Sequence, residues 1–412
     1  MRTNIGPDRA TMTAAQPQTV VAVWNELTPY RLHVMHRVAR ELQDVRVVNV
    51  FTHSVVRNSS PWTMEISADL NVEFDEANRI PRVEQFAHRG AWRLARSVGQ
   101  VIARERPLFV LMHGHNDLTR FMLIRRLRRL GVPMVHASDS NIFSEQPGRG
   151  WKWFAKAGYR QYRSHLLSLM DGYMPMGVGG RAFYNLYGRP DVPHFMFPYE
   201  PDYALIQNRD MTAEAALRTG HALEDGRRRF LYCGRLVAGK GIHTMIAAFA
   251  SVAARCPEWD LVLAGDGPLR SELEQAVPAE IRHRVRFLGF MQMQQLRSAY
   301  HVCDVLLHPS ERDQWGLVIN EAAAADMAIV ATDVIGAVSD LVRHGINGIL
   351  VRPKSAEAMA EAILEVARPG VADRMRANSA RILAEWRVSA DPIAGFRSAV
   401  QHFATRTGAK TH

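Results

Sequence analysis

Short apolar runs alternate with helix-like segments through the second half of the chain. The apolar runs are rich in β-branched and aromatic residues and lie at 230–233, 260–265, 285–289, 304–310, 328–333 and 348–351. The amphipathic segments lie at 240–255, 268–277, 292–301, 317–326, 337–344 and 355–367. Strands that are apolar throughout are typical of a sheet covered on both faces, and repeated βα units favour parallel strands with right-handed crossovers. The pattern therefore predicts a doubly wound α/β domain.

The first half repeats this alternation less regularly, and we expect a second α/β domain there. Its apolar runs lie at 20–25, 45–51, 108–114, 133–138, 172–177 and 194–198, with helices near 31–42 and 117–130. We divide the chain into a flexible extension (1–18), a first domain (19–198), a second domain (199–370) and C-terminal helices that pack back toward the first domain (371–412).

The boundary between the two domains is predicted from backbone restriction. Pro198 and Pro201 restrict the chain there, and the polar stretch that continues to about 227 is typical of a hinge. The C-terminal helical stretch is broken near 389–392. Two such domains that face each other place ligands at the carboxyl ends of both sheets.

Composition and charge narrow the function classes. The 412 residues include 51 Lys and Arg against 41 Asp and Glu, for a formal charge of +10, and 47% are hydrophobic. This is a globular composition, so wholesale disorder is excluded. No stretch approaches the ~18 consecutive apolar residues of a membrane span, and the N-terminus lacks the apolar core of a secretory signal. The positive excess favours an anionic partner: a nucleotide, a phosphate, an anionic lipid or a nucleic acid.

The cysteines indicate a reduced, cytoplasmic protein. Cys233, Cys256 and Cys303 are odd in number and far apart, and each lies in an apolar or helical stretch that suits a small core residue. No Cys/His cluster has zinc spacing, and no two Asp residues lie two positions apart. We therefore expect neither a metal nor a cofactor.

Two glycine-containing turns follow predicted strands. In CGRLVAGKGI the glycines allow close approach to a ligand, and Arg235 and Lys240 could bind a diphosphate, the arginine as a fork and the lysine as a point charge. The alternative is an ordinary strand–helix turn with solvated cations. In AGDGPLR, Gly265 and Gly267 suit a tight turn beside a ligand, although the dinucleotide fingerprint is absent.

A third motif, SERDQWGLVINEA, leads into a predicted helix. The free backbone amides near Gly316, Leu317 and Val318 would form an anion site. Asp313 in the approach loop could accept hydrogen bonds from sugar hydroxyls, and Glu321 about one turn into the helix could reach a ribose diol. The alternative is a capping acid followed by a solvated helical glutamate.

These motifs, together with VRFLGF and TDVIGAVSDLV, resemble in order and spacing the C-terminal domain of family 4 glycosyltransferases. That family comprises retaining, metal-independent enzymes of GT-B fold that use nucleotide-activated sugars. The resemblance is strong over 229–367 and fainter over 20–200, where it rests on WNELTPYR, MHGH and FPYEPD. It implies two Rossmann-like domains that face each other across a cleft. It also implies transfer of a sugar from a nucleotide-sugar donor to a glycan, a lipid-linked acceptor or a small molecule.

The resemblance also implies roles for the donor-side residues. Arg235 and Lys240 match the cationic pair that binds the donor diphosphate. Gly316 and Leu317 match backbone amides that contact the distal phosphate and the sugar. Glu321 matches the second acid of the Glu–seven–Glu motif, which binds the ribose.

Further positions carry over with departures from the family pattern. Asp313 stands where the family has its first glutamate, so a side chain one methylene shorter must reach the donor sugar. Phe290 and Met291 match the segment whose backbone reads the base edge. His115 matches a cleft histidine that meets the donor sugar, with His113 as the alternative.

The acceptor side is less clearly marked. The glycine-rich first loop of the family is replaced by NELTP at 25–29. Asp139, after a predicted strand, either binds acceptor hydroxyls or forms an Asx turn, and the turn is the simpler interpretation.

No nucleophile–base pair stands out in the sequence. Arg235, Lys240 and the helix N-terminus would therefore stabilise the charge that develops on the leaving diphosphate. The family resemblance implies that retention then arises from front-face attack by the acceptor.

Two basic stretches and three other function classes complete the sequence picture. The pattern at 120–130 favours a core helix with a solvated basic face. The stretch 148–163 is as consistent with contact to an anionic membrane as with such a solvated face. Nucleic-acid binding lacks a recognised motif, so we expect none. A GT-B enzyme of other chemistry, such as a sugar-nucleotide epimerase or hydrolase, stays open. A nicotinamide dehydrogenase is least favoured.

Overall fold

The computed structural model describes residues 17–52, 62–73, 88–114, 117–143, 145 and 151–408. They form two six-stranded parallel sheets flanked by helices. The first sheet contains β1 (Gln18–Trp24), β2 (Val45–Phe51), β3 (Val72–Glu73), β4 (Phe109–His113), β5 (Met134–Ala137) and β6 (Gly172–Met174). Its helices are α1 (Pro29–Glu41), α2 (His88–Glu105), α3 (Leu118–Arg129), α4 (Trp151–Ser168) and α5 (Val178–Tyr187). The strand order is β3-β2-β1-β4-β5-β6.

The second sheet repeats this topology, with the order β12-β11-β10-β7-β8-β9. Its strands are β7 (Arg228–Cys233), β8 (Trp259–Ala264), β9 (Val285–Gly289), β10 (Val305–His308), β11 (Ala328–Thr332) and β12 (Gly348–Val351). Between them lie α8 (Ile242–Val252), α9 (Arg270–Ala276), α10 (Met293–Val302), α11 (Val318–Ala324), α12 (Val338–Leu341) and α13 (Ala356–Ala367). Both sheets therefore have the doubly wound order in which ligands bind at the carboxyl ends of the strands.

The strands are buried on both faces, which explains their uninterrupted apolar sequences. Leu231 and Val262 belong to the core on one face of the second sheet, and Phe230 and Leu261 belong to the core on the other. Burial of each such side chain contributes roughly 1.5–3 kcal/mol to folding. The predicted α/β class, with two Rossmann-like domains, is confirmed.

Two details of the first half differ from the sequence-based expectation. The apolar run 194–198 forms no strand, only a bridge between Tyr173 and His194. Arg120, expected on a solvated face of α3, is 1% exposed and donates a 2.7 Å hydrogen bond from Nε to the carbonyl of His113. The rest of α3 follows the expectation, because Leu123 and its apolar neighbours face the core.

The link between the sheets contains two short helices in the stretch expected to be a polar hinge. These are α6 (Tyr203–Gln207) and α7 (Met211–Gly220). After the second sheet the chain continues as α14 (Val371–Ser389) and α15 (Pro392–Gly408), with the break where the sequence predicts it. Phe396 and Phe403 of α15 pack against Phe109 of β4, with ring centroids 6.1 and 5.1 Å away. The last helix thus covers the core of the first sheet.

A buried ion cluster joins the two places where the chain passes between the sheets. Glu200 is 3% exposed. Its carboxylate accepts hydrogen bonds from Arg37 of α1 at 2.8 Å and from Arg387 of α14 at 3.1 Å. Arg37 also pairs with Asp391 at 3.0 Å. Both crossings are therefore held to α1 by charged contacts.

Within the described part of the chain, every helix is too short or too polar to cross a bilayer.

Candidate functional site

Three loops at the carboxyl ends of β7, β8 and β9 touch through their backbones. A Cβ atom on Gly265 would lie 1.9 Å from the carbonyl oxygen of Gly234, and Gly265 has φ +145°. Its amide donates a 2.8 Å hydrogen bond to the carbonyl of Gly289. Any side chain at position 265 would therefore collide with the backbone of Gly234, and the positive φ disfavours every residue except glycine.

Lys240 and Asp313 meet at this edge of the sheet. Lys240 Nζ lies 2.5 Å from Asp313 Oδ2, and His308 Nε2 lies 3.3 Å from the same oxygen. Burial disfavours the charge on Asp313. The hydrogen bond from His308 and the positive charge of Lys240 outweigh that effect and hold its pKa well below the usual range. The aspartate is therefore a fixed anion between two nitrogen groups.

Glu321 lies in the first turn of α11 and is 7% exposed. Tyr300 donates a hydrogen bond from its hydroxyl to the Glu321 carboxylate, and that hydroxyl lies 3.4 Å from Cys233 Sγ. Burial raises the pKa of Glu321, and burial with the nearby glutamate raises the pKa of Cys233 to about 12. The thiol is therefore a neutral wall of this pocket, while the carboxylate is desolvated and able to accept further hydrogen bonds.

The loop before α11 depends on another glycine. Gly316 has φ +80°, and a Cβ atom there would lie 2.5 Å from Ile335 Cγ2. Helix α11 begins at Val318 with Leu317 as its N-cap. The first amides of a helix have no acceptor within the helix. Gly316, Leu317 and Val318 therefore present backbone donors close to Asp313.

The remaining donor-side candidates lie around this cluster. Arg235 is exposed in the turn after β7, and in the described part of the chain it forms no ion pair. Phe290 packs edge-on against Trp62 of the first domain, with centroids 5.1 Å apart, and Met291 is 8% exposed. His115 lies outside the described residues.

His113, the alternative to His115, is buried at the end of β4. Its Nε2 lies 3.3 Å from Arg31 Nη2 and 3.2 Å from the Tyr199 hydroxyl. Tyr199 lies against Tyr30, with centroids 4.5 Å apart, and its hydroxyl is 3.5 Å from Asp139 Oδ2. These groups form the wall of the cleft on the side of the first sheet, which we call the Tyr199 wall: Tyr30, Arg31, His113, Asp139 and Tyr199.

Sequence reasoning did not assign roles to His308, Arg31 or Tyr199. His308 could have been found, since it ends an apolar strand five residues before Asp313. In the loop after β5, the amide of Ser140 donates a 3.0 Å hydrogen bond to Ser138 Oγ, and the Asx turn at Asp139 stays a prediction.

A cavity of about 220 Å³ opens at the Tyr199 wall. Four residues of that wall line it (Tyr30, Arg31, His113 and Tyr199), together with apolar side chains of α1 and polar ones such as Asn49 of β2. Among the described residues that line it, none belongs to the second sheet or to its βα loops. The cavity is therefore separate from the Lys240 cluster.

The two walls touch at two further points. The side-chain amide of Asn141 donates to the carbonyl of Gln314. The Asp340 carboxylate accepts from the amide of Val178 at 3.2 Å and from Trp386 Nε1 at 3.0 Å. In the described part of the chain, no three His, Cys, Asp or Glu side chains are grouped so that they could hold a metal ion.

Two parallel sheets that face each other across a cleft are the arrangement of the GT-B fold, and solved structures share it. Sucrose-phosphate synthase from Thermosynechococcus elongatus is similar with a TM-score of 0.71 and 18% identity, covering 95% of this chain and 100% of that one. Anabaena HepE, solved with UDP, has a TM-score of 0.68 and 17% identity, covering 94% and 100%.

Sequence relatives give the family. Residues 214–381 match the model of the glycosyl transferases group 1. The alpha-D-kanosaminyltransferase of Streptomyces kanamyceticus is 36% identical over 88% of this chain and 98% of that protein. The 2-deoxystreptamine N-acetyl-D-glucosaminyltransferase of Niallia circulans is 28% identical over 37% and 40%. The chain belongs to the group 1 glycosyl transferases. The predicted class of enzyme, a glycosyltransferase of the hexosyltransferase type, is confirmed.

Proposed function

We propose that this protein is a retaining, metal-independent hexosyltransferase that uses a nucleoside-diphosphate sugar. The observation that carries the proposal is the convergence of Lys240, Asp313 and Glu321 with the free amides before α11 at one sheet edge. These groups come from different βα loops. Together they offer a cation, carboxylates that accept hydrogen bonds from hydroxyl groups, and amides that donate hydrogen bonds to a phosphate.

The donor would lie along this edge. Arg235 and Lys240 bind the diphosphate, and the amides at Gly316, Leu317 and Val318 hold its distal phosphate. Glu321 is desolvated and already fixed by Tyr300, so it accepts hydrogen bonds from a ribose diol. The backbone at Phe290 and Met291 reads the base.

The chemistry follows from where charge develops. When the bond between the anomeric carbon and the phosphate oxygen breaks, its electron pair goes to the leaving diphosphate. Preorganised cations and amides beside that oxygen stabilise the transition state more than the ground state. The acceptor hydroxyl attacks from the same face, and its proton passes to the departing phosphate oxygen. The anomeric configuration is then retained.

Asp313 would serve the donor sugar. Its carboxylate is held by Lys240 and His308, so it is ionised and oriented before the donor binds. One of its oxygens carries both of those contacts, which leaves the other to accept a hydrogen bond from a sugar hydroxyl.

The acceptor would occupy the opposite wall. Among a glycan, a lipid-linked sugar and a small molecule, we favour a small polyhydroxylated molecule that carries amino groups. The name of one relative, the 2-deoxystreptamine N-acetyl-D-glucosaminyltransferase, gives an aminocyclitol as the acceptor, and the cavity of about 220 Å³ is of the size of one or two small rings. We place the reaction in the cytoplasm.

One exposed side chain supports peripheral contact with an anionic membrane. Phe154 on α4 is 72% exposed, in the basic aromatic stretch singled out in the sequence. Co-sedimentation with vesicles that contain phosphatidylglycerol, compared with neutral vesicles, tests this contact. Equal and negligible binding of both would contradict it.

The test of the donor and of the stereochemistry uses purified protein. Melting curves with UDP, GDP and ADP identify the base, because a ligand at 100 times its dissociation constant adds about 2.7 kcal/mol of stability. Transfer from the matching α-linked donor to a panel of small amino and hydroxyl acceptors follows, with the product's anomeric proton coupling read by NMR. An α-linked product is expected. A β-linked product, or no shift with any nucleotide, would overturn the proposal.

A further inference from the structure

Asp139 is a cleft carboxylate that the donor-side chemistry does not use. It lies in the turn after β5, at the carboxyl end of the first sheet, and is partly buried. Its carboxylate accepts a hydrogen bond from the hydroxyl of Tyr199, 3.5 Å from Oδ2, and one from its own backbone amide. The amide of Ser140 in the same turn donates to Ser138 Oγ, so that hydrogen bond does not depend on Asp139.

Two buried acids outside the cleft have arginine partners. Glu200 pairs with Arg37 at 2.8 Å, and Asp260 pairs with Arg227 at 2.6 Å. Asp139 forms no such pair with any described residue, and burial with the nearby negative charge of Asp313 raises its pKa. An acid that is desolvated without a cation is destabilised in its charged form, and such acids are concentrated at ligand sites.

The nearest cation is already engaged. Arg31 is 5% exposed, donates to the carbonyl of Glu26, and lies 4.9 Å from the centre of the Trp24 ring. Its other terminal nitrogen contacts His113 at 3.3 Å. Arg31 therefore lowers the cost of the Asp139 charge through space without occupying its oxygens.

We propose that Asp139 binds an ammonium group of the acceptor and so selects amino-bearing acceptors over their hydroxyl counterparts. The proposal rests on the proposed function and deepens it. An ammonium donates up to three hydrogen bonds and also neutralises the carboxylate, whereas a hydroxyl donates one hydrogen bond and carries no charge. The paired rings of Tyr30 and Tyr199 lie beside the same carboxylate and add a surface that favours a cation.

The position of Asp139 gives this contact a consequence for the reaction. Asp139 belongs to the first domain and Asp313 to the second, and the two are close enough for the negative charge of Asp313 to raise the pKa of Asp139. An acceptor held at Asp139 is therefore held within reach of the donor sugar. Asp139 would act as a specificity-determining residue that orients the acceptor.

The test compares matched probes on matched variants. The probes are 2-deoxystreptamine against myo-inositol, and glucosamine against glucose, each titrated calorimetrically into the full-length protein saturated with its preferred nucleoside diphosphate. The variants are Asp139→Asn and, as a control with the same charge change, Asp44→Asn in the exposed turn before β2. Asp139→Glu keeps the charge and serves as the conservative variant.

We expect the wild type and Asp44→Asn to bind at least one amino probe tenfold or more tightly than its hydroxyl counterpart. Asp139→Asn should lose that preference, and Asp139→Glu should keep part of it. The nucleotide-induced melting shift should be equal in all four proteins.

Three results would overturn the inference. They are equal binding of amino and hydroxyl probes by the wild type, binding of neither by the wild type, and retention of the preference in Asp139→Asn. The melting shift separates this inference from the donor proposal. An absent shift counts against the nucleotide-sugar donor, whereas a normal shift without amine preference counts against Asp139 alone.

Discussion

Replacing Lys240 with alanine tests the donor site most directly. The Lys240 Nζ atom lies 2.5 Å from Asp313 Oδ2, at the end of the β7 loop, with its side chain 22% exposed. The substitution removes a positive charge that is already positioned at the edge where the diphosphate is proposed to leave. Removing one preorganised donor from a site of developing negative charge costs about 2.7–4 kcal/mol of transition-state stabilisation, a fall in kcat of roughly 10²–10³.

The same substitution should leave the fold nearly unchanged. A partly exposed ion pair contributes at most about 1 kcal/mol to stability. Asp313 keeps its contact with His308, although loss of the lysine charge lets the Asp313 pKa rise toward its usual range. The melting temperature of the nucleotide-free protein should therefore stay within a few degrees of the wild type.

The assay measures kcat and KM with the preferred nucleotide sugar, together with the melting shift produced by the nucleoside diphosphate. Lys354→Ala is the matched control, because Lys354 forms a similar pair with Glu311 at 3.0 Å but is 64% exposed. The control should behave as the wild type. A Lys240→Ala protein with kcat within threefold of the wild type and an undiminished nucleotide shift would refute the assignment.

Three further predictions concern stability. Glu200→Gln should lower the free energy of unfolding in urea by ~3 kcal/mol because Arg37 and Arg387 both lose the buried negative charge that they share. Glu41→Gln, which alters a more exposed pair of Arg37, should cost under ~1 kcal/mol, and equal losses would contradict this. Glu321→Gln should raise stability by ~1 kcal/mol near neutral pH and weaken nucleotide binding. Burial raises the folded pKa of Glu321, so the wild type loses stability as pH rises from the ordinary glutamate pKa through that raised pKa. The Glu321→Gln variant should lack this loss, and a melting temperature with the same pH dependence as the wild type would disprove the prediction. Gly265→Ala should lower stability by more than ~3 kcal/mol, since its Cβ meets backbone at 1.9 Å, and a melting temperature equal to the wild type would rule out that packing.

The strands were predictable because strands that are buried on both faces have uninterrupted apolar sequences. β2 was expected at 45–51 and lies at Val45–Phe51. The run at 194–198 is also apolar, but for another reason. Phe195 and Phe197 are buried in the core that α15 covers, and apolar character alone does not separate a strand from an extended segment that closes a core. β3, with two residues, is too short to show a pattern.

The Lys240 cluster was predictable because its residues lie in local motifs. Lys240 and Asp313 each follow a strand of one sheet, so the topology brings them together. The Tyr199 wall was not predictable in this way. Tyr199 and Asp139 lie 60 residues apart and meet through packing across different loops, which no periodicity in one sequence records.

Helix α15 packs on the first sheet although it follows the second sheet in the chain, so the first domain is built from two separate segments. Phe396 and Phe403 are each 2% exposed and fill the core beneath β4, although they come after all of the second sheet. A fragment that ends with the second sheet would leave the first with an uncovered apolar face. Any recombination that exchanges the first domain between related enzymes must therefore transfer two separate segments, the one that encodes the first sheet and the one that encodes α15.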